Sequence, residues 1–380
     1  MIRSAWLSLR RTLGWPTDDA LPDLDVALHA AADWIARAQD ATPDGGVSAF
    51  YDGRRRVWAG SYPETTGYII PTFFEYAARS GRDEFFERAI RMAHWESDIQ
   101  LSDGAVRAGT LDSKDQIVPT IFNTGQVLFG WAAAYRATGD SRFAESLRRA
   151  CDWLLAAQDD DGAWRRYGSP FCSSQINTYN TRVAFGLVQA AEVLGEHRYT
   201  TAAIANIEWA LRQRRPNGWF DYNDLDDNDR PLTHTIAYAL RGIMEVGIRQ
   251  GVDGYVAQAA ATARCVADRI RSDGSLPGRF DDNWRASGRW SCLTGNVQMA
   301  GIWLRLSEYG VSGDWHSPAR RCIAFTQTRQ KRDHPDEGVR GAIPGSAPLN
   351  GQYMPGRYPN WAARFFMDAL MNFDAAREPG

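Results

Sequence analysis

The chain repeats, and that limits what it can fold into more than any other feature. An amphipathic segment ending in an Asp/Gly-rich turn occurs at Ala31 (AADWIARAQDATPDGGV), Met92 (MAHWESDIQLSDGAV), Ala150 (ACDWLLAAQDDDGAW), Ile207 (IEWALRQRRPNGWF) and Cys265 (CVADRIRSDGSLPGRF), with a degraded copy at Cys322 (CIAFTQTR). Trp34, Trp95, Trp153 and Trp209 anchor the first four copies. A spacing close to sixty residues suits a helical hairpin with a loop. Between the copies run segments that are apolar around most of their circumference: TTGYIIPTFFEYAA, TGQVLFGWAAAY, TRVAFGLVQAAEVLG, TIAYALRGIMEVG, TGNVQMAGIWLRL and NWAARFFMDALM. A helix with a charged face meets water, and one apolar on most faces is buried. The alternation predicts an all-α (α/α)6 toroid of six helical hairpins, with twelve helices in outer and inner rings over residues 21–380. Residues 1–20 read as an N-terminal helical arm. An open superhelix is the other way to stack hairpins; six copies and a chain ending on an inner helix favour closure.

The connections give the ring a polarity. Inner-to-outer turns are short (RSGRDE, ATGDSR, LGEHR, RQGVDG), whereas outer-to-inner loops are long and rich in Gly, Asp, Trp and Arg. Long loops in compact domains usually carry function. They fall on one face, above the N-termini of the inner helices, and the site is expected there. A net charge of −3 leaves no electrostatic footprint for nucleic acid. No apolar run is long enough to span a membrane. Five scattered cysteines without a CxxC pair argue against a zinc site or a disulfide framework. No metal or other cofactor is called for, and the expected location is the cytoplasm.

Aligning the inner segments on their first Thr puts Glu64, Asn123, Asn180, His234, Leu293 and Asn360 at one height. Tyr68, Gln126, Arg182, Tyr238, Asn296 and Gln298 follow one turn inward. Asn and Thr at such positions serve as N-caps. Glu64 and His234 are poorer caps and therefore stand out as catalytic candidates, with Tyr238 beside them. Six helix N-termini converging on one cavity favour an anionic group, and would depress the Glu64 pKa unless burial raises it more. Loop residues Trp58, Trp219, Asp221, Arg279, Asp281, Arg289 and Trp290, with Trp361, pair flat aromatics with Arg and Asp, as a sugar site requires. The expected partner is an oligosaccharide or polysaccharide, including anionic ones.

The six-hairpin pattern resembles the six-hairpin glycosidase-like superfamily, which holds glycoside hydrolases, sugar epimerases and polysaccharide lyases. More narrowly, ATPDGGV, SYPETTGYIIPTF, PLTHTIAYALRG, SLPGRFDDNWR, RWSCLTGNVQMA and YPNWAARFF resemble segments of a bacterial family found among exopolysaccharide and O-antigen biosynthesis proteins. The resemblance implies carbohydrate chemistry. Hydrolysis is the first expectation, with Glu64 as one carboxylate and Asp221, Asp224 or Asp281 as the second. A uronate lyase or C5-epimerase would instead use His234 or Tyr238 as base, with Arg182 or Arg289 stabilising the developing charge. A non-catalytic glycan-binding scaffold is a third class. QDDDGAW (Gln158–Trp164) and DLDD (Asp224–Asp227) match short motifs of class II terpene cyclases, although the acid-rich loop around DLDD reads more simply as solvated. The same loop offers Asp224, Asp226 and Asn228 to Ca²⁺, without the Gly and closing Glu of an EF-hand.

Overall fold

The structure is a computed structural model that describes residues 23–113, 117–227 and 229–376. Residues 1–20, expected as an arm, lie outside them. The outer helices are α1 (Leu24–Asp40), α3 (Asp83–Ile99), α5 (Ser141–Ala157), α7 (His197–Arg212), α9 (Asp253–Ala267) and α11 (His316–Gln327). The inner helices are α2 (Pro63–Ser80), α4 (Ile121–Thr138), α6 (Thr181–Leu194), α8 (Thr233–Gln250), α10 (Leu293–Glu308) and α12 (Asn360–Ala375). Each inner helix packs on the next, and α12 returns to α1 and α2, so the molecule is a closed (α/α)6 toroid.

The layers follow from the side chains. Residues Ile121 to Ala132 of α4 are all buried, whereas α5 buries one stripe (Phe143, Leu147, Cys151, Leu154) and turns Arg142, Arg148 and Arg149 outward. Inner helices approach closely because small residues face each other. A Cβ on Gly130 would lie 2.5 Å from the Gly67 carbonyl, and one on Gly186 would lie 2.7 Å from that of Gly125. The tight inner-to-outer turns form where Gly81, Gly139, Gly195 and Gly251 close helices in the left-handed conformation, which only glycine adopts cheaply.

Glutamines tie one hairpin to the next. Gln158 Nε2 donates to Gly162 O (3.0 Å) in its own turn and to Ala202 O (2.9 Å) of α7. Gln100 bridges Gly104 O and Ser146 O of α5 in the same way, and Gln330 bridges Gly341 O and Ala27 O of α1. The last of these helps close the ring. So do the strands of the long loops: β1 (Phe50–Asp52) pairs antiparallel with both β2 (Val57–Trp58) and β5 (Arg357–Pro359), joining the first loop to the last. A second small ladder joins β3 (Ser291–Cys292) to β4 (Ser346–Ala347). Among the described residues no helix is long and apolar enough to cross a membrane.

Candidate active site

On the long-loop face, at the N-terminal ends of the inner helices, opens a cavity of about 810 Å³. Glu64, Tyr68, His234, Tyr238 and Trp361 line it, together with Tyr62, Phe122, Tyr179, Tyr353, Arg107 and Arg357. Phe50, Val118, Phe171, Leu225 and Met354 make much of the remaining wall apolar.

Glu64 sits in the first turn of α2, just after Pro63 at the helix start. The helix dipole there favours its anion, but burial dominates and raises its pKa to about 7. The Tyr62 hydroxyl donates to Glu64 Oε2 at 2.7 Å and works against that rise. Among the described residues no other carboxylate lines the cavity. His234, in the first turn of α8, is held neutral: burial lowers its pKa to about 4. Its Nδ1 lies 2.7 Å from Gln298 Oε1. That oxygen can only accept, so Nδ1 carries the hydrogen and Nε2 keeps the lone pair. The His234 ring lies 4.5 Å from that of Tyr238, tilted by 50°, and the buried Tyr68 and Tyr238 hydroxyls interact with each other. Burial drives both phenol pKa values upward, so both hydroxyls keep their protons. The cavity therefore combines a carboxyl that titrates near neutrality, a neutral imidazole and phenolic donors.

Hydrogen bonds fix the true register of the inner helices. Thr66 Oγ1 accepts Val47 N–H (3.0 Å), Thr124 Oγ1 accepts Val106 N–H (2.9 Å), and Asn296 Oδ1 accepts Leu276 N–H (3.1 Å). Thr66, Thr124 and Asn296 are therefore equivalent, and so are Glu64, Phe122 and Thr294 two residues earlier. Alignment on the first Thr slips by one position. Phe122 faces the cavity, while Asn123 turns to Arg107 O (3.1 Å). Asn180 ends the 3-10 turn Thr178–Asn180, from which Tyr179 reaches the cavity. Asn296 also accepts from Ser291 Oγ, and Asn360 Nδ2 bridges Ser48 O (2.9 Å) and Thr65 Oγ1 (2.8 Å). Both are struts between loop and helix. Leu293 does not line the cavity.

Most of the loop candidates pack the loops. Trp58 stacks against Trp34 and Tyr51. Trp219 meets Trp284 edge-on at 5.3 Å, and Trp290 lies so close under Gly278 that a Cβ there would clash. Asp221 pairs with Arg215 (2.7 Å), and Arg279 binds Asp226 through two bonds of 2.6 and 2.8 Å. Asp281 accepts the Asn283 and Arg285 N–H groups of its own loop. Arg289 is exposed beside a separate groove with Lys331 and Pro348. Gln126 and Arg182 lie deeper: Gln126 Oε1 accepts from Arg182 Nε (3.3 Å), and neither lines the cavity. Asp224, offered above to hydrolysis and to Ca²⁺, accepts from Ser173 and Ser174. Asp226 is taken by Arg279, and Asn228 lies outside the described residues. Sequence reasoning missed Phe122, Tyr179, Tyr353 and Arg357. The slipped register hid Phe122. Tyr353 and Arg357 belong to the sixth loop, whose length alone marks it as functional.

Fold and cavity together define the class: the chain has the (α/α)6 fold of the six-hairpin glycosidases. Residues 93–221 match the pectic acid lyase family. Over the whole ring the chain is similar to an unsaturated glucuronyl hydrolase specific for heparin, with 17% identity, 93% of this chain and 97% of the other covered, and a TM-score of 0.74. It is also similar to a sugar epimerase from a ruminal bacterium, with 10% identity, 92% and 98% covered, and a TM-score of 0.75. A squalene–hopene cyclase of Zymomonas mobilis is 23% identical over an alignment 248 residues long that covers 58% of this chain. The chain spans about a third (34%) of that relative's length.

Proposed function

We propose that this protein is a carbohydrate-processing enzyme that moves a proton on a uronate-containing saccharide, with Glu64 as the proton carrier. The observation that carries this reading is the Glu64 carboxyl, which among the described residues is the one carboxyl lining the cavity, with a pKa of about 7 and set beside His234, Tyr238 and Tyr68. Glycosidic hydrolysis ordinarily uses two carboxylates about 5–9.5 Å apart. The expected second ones, Asp221, Asp224 and Asp281, are engaged elsewhere. A single base near neutrality instead suits abstraction of the proton next to a uronate carboxylate. That C–H bond breaks and its proton passes to Glu64. The electron pair moves toward the carboxylate, where Arg107 or Arg357 holds the growing negative charge. In elimination the pair continues into a new C=C bond and expels the glycosidic oxygen, which takes a proton from Tyr238. In epimerisation Tyr238 returns a proton to the opposite face. Aromatic walls suit the C–H faces of sugar rings. The names of the similar proteins (glucuronyl hydrolase, sugar epimerase, pectic acid lyase) support the same substrate class.

The partial match to a squalene–hopene cyclase and the apolar walls favour a second reading, alkene protonation. It needs a strong buried acid, and here the central Asp226 of DLDD is exposed and ion-paired to Arg279. An acid of pKa about 7 is too weak for an isolated alkene. The QDDDGAW motif is accounted for by the Gln158 clamp.

The test is turnover of pectate, alginate and heparin oligosaccharides in D2O. Ultraviolet absorbance follows new C=C bonds and NMR follows deuterium entering the uronate ring. Wild type is expected to turn over one of these, and Glu64→Gln to lose about 10²–10⁴-fold while still binding the saccharide. Binding without turnover in both proteins would leave a glycan-binding ring and defeat the enzyme reading.

A further inference from the structure

Beneath the Glu64 cavity, toward the C-terminal ends of the inner helices, lies a second cavity of about 220 Å³. Arg182, Arg241, Arg364, Glu75, Asp368 and Gln298 are in its wall, and Tyr238 stands in the walls of both cavities. Arg182 is 5% exposed. Its Nε donates to Gln126 Oε1 at 3.3 Å, and its guanidinium carbon lies 4.5 Å from the Phe129 ring centre and 5.9 Å from that of Tyr238. Among the described residues no carboxylate forms an ion pair with Arg182.

The other arginines of this wall do have counter-charges. Arg364 pairs with Asp368 at 3.0 Å and Arg241 with Glu245 at 2.7 Å. Glu75, the remaining acid of this wall, is exposed and forms no ion pair with Arg182. Burial lowers the Arg182 pKa to about 9, so it is still a cation at neutral pH. A buried cation without a partner is among the costlier arrangements in a protein interior, and aromatic faces offset only part of that cost. Four guanidinium N–H donors are left over, in the planar fork that binds oxyanions through two bonds.

We propose that this cavity binds a small oxyanion, a carboxylate, sulfate or phosphate, anchored by Arg182 and admitted from the face opposite the substrate mouth. A further cavity of about 540 Å³ shares Phe185, Gln189, Arg241 and Asn372 with it and runs out to Glu308 and Ala376 at the helix ends, which provides the route. The site does not depend on the reaction assigned to Glu64.

Calorimetric titration of the full chain with inorganic phosphate, sulfate and acetate in turn, against chloride at constant ionic strength, tests the proposal together with thermal melting. At least one oxyanion is expected to bind saturably and raise Tm, and Arg182→Met to abolish both effects. Without added oxyanion, Arg182→Met is expected to melt a few degrees above wild type, because a residue of similar length fills the space without an unpaired charge. Added oxyanion closes that gap. Should Arg182→Met fail to fold, Arg182→Lys keeps the charge without the fork and is expected to weaken binding at least tenfold. Absence of binding by all three anions, or equal binding in wild type and the Arg182 variants, overturns the site. A Met variant that melts below wild type, with no anion binding to either protein, makes Arg182 a structural strut.

Discussion

Burial raises the Glu64 pKa to about 7 and lowers that of His234 to about 4, so one cavity keeps a proton on a carboxyl and off an imidazole. The two act oppositely on stability. Glu64 has an ordinary value of 4.5, so the folded state binds more protons than the unfolded between pH 4.5 and about 7. Its contribution to stability therefore falls as pH rises through that window. His234 has an ordinary value of 6.5, so the folded state binds fewer protons between about pH 4 and 6.5, and its contribution rises with pH there. The two slopes largely cancel in wild type, and single variants separate them. Glu64→Gln is expected to be more stable than wild type at pH 8 by about 2–3 kcal/mol and indistinguishable below pH 4.5. His234→Gln is expected to lose the rise between pH 4 and 6.5. Urea melts of the three proteins across pH check this, and parallel curves would show that neither group is shifted. The catalytic role proposed for Glu64 fits this cost, since groups that destabilise their own fold are a common trade at active sites.

At the scale of the element, the Gln158 clamp accounts for a motif that is ambiguous in sequence. QDDDGAW reads equally as a cyclase signature and as a helix-ending turn. In the structure Gln158 joins Gly162 to Ala202, and Trp164 Nε1 donates to Leu154 O at 3.0 Å. Gln158→Ala leaves two carbonyls without their donor and is expected to cost about 1–3 kcal/mol, measured by chemical denaturation, with turnover per folded molecule unchanged. Lost turnover at unchanged stability would contradict the clamp. The inner helices show why elements were easier to read than sites. Their apolar circumference is a property of local sequence, so α2, α4, α6, α8, α10 and α12 follow from pattern. Their register is set by loop N–H groups reaching Thr66, Thr124 and Asn296 across about twenty residues. Adjacent threonines at Thr65 and Thr66 conceal it. One residue of slip replaces Phe122 with Asn123.

Over the whole molecule, the ring was legible because six copies of one hairpin can bury their apolar faces only against each other. Its polarity was legible from the unequal connections. The membership of the site was less so, because the cavity gathers side chains from α2, α4 and α8 with loops from opposite ends of the chain. Arg357 arrives there through the β1–β5 pairing and Tyr353 through its backbone bonds to Ser346 of β4, which no local pattern announces. Glu64 and His234 stood out because neither belongs at a helix start for capping reasons. Trp219, Arg279 and Trp290 looked equally functional, but they hold the loops on the ring.

One carboxyl, that of Glu64, keeps its proton near neutrality inside the ring. Infrared difference titration of wild type against Glu64→Gln reads that carboxyl directly, without a substrate. The expected result is a protonated carboxyl C=O band, absent from the variant, that disappears with a midpoint near pH 7. A midpoint at the ordinary value of 4.5 would mean that Glu64 stands in water, and would contradict both its burial and the chemistry proposed for it.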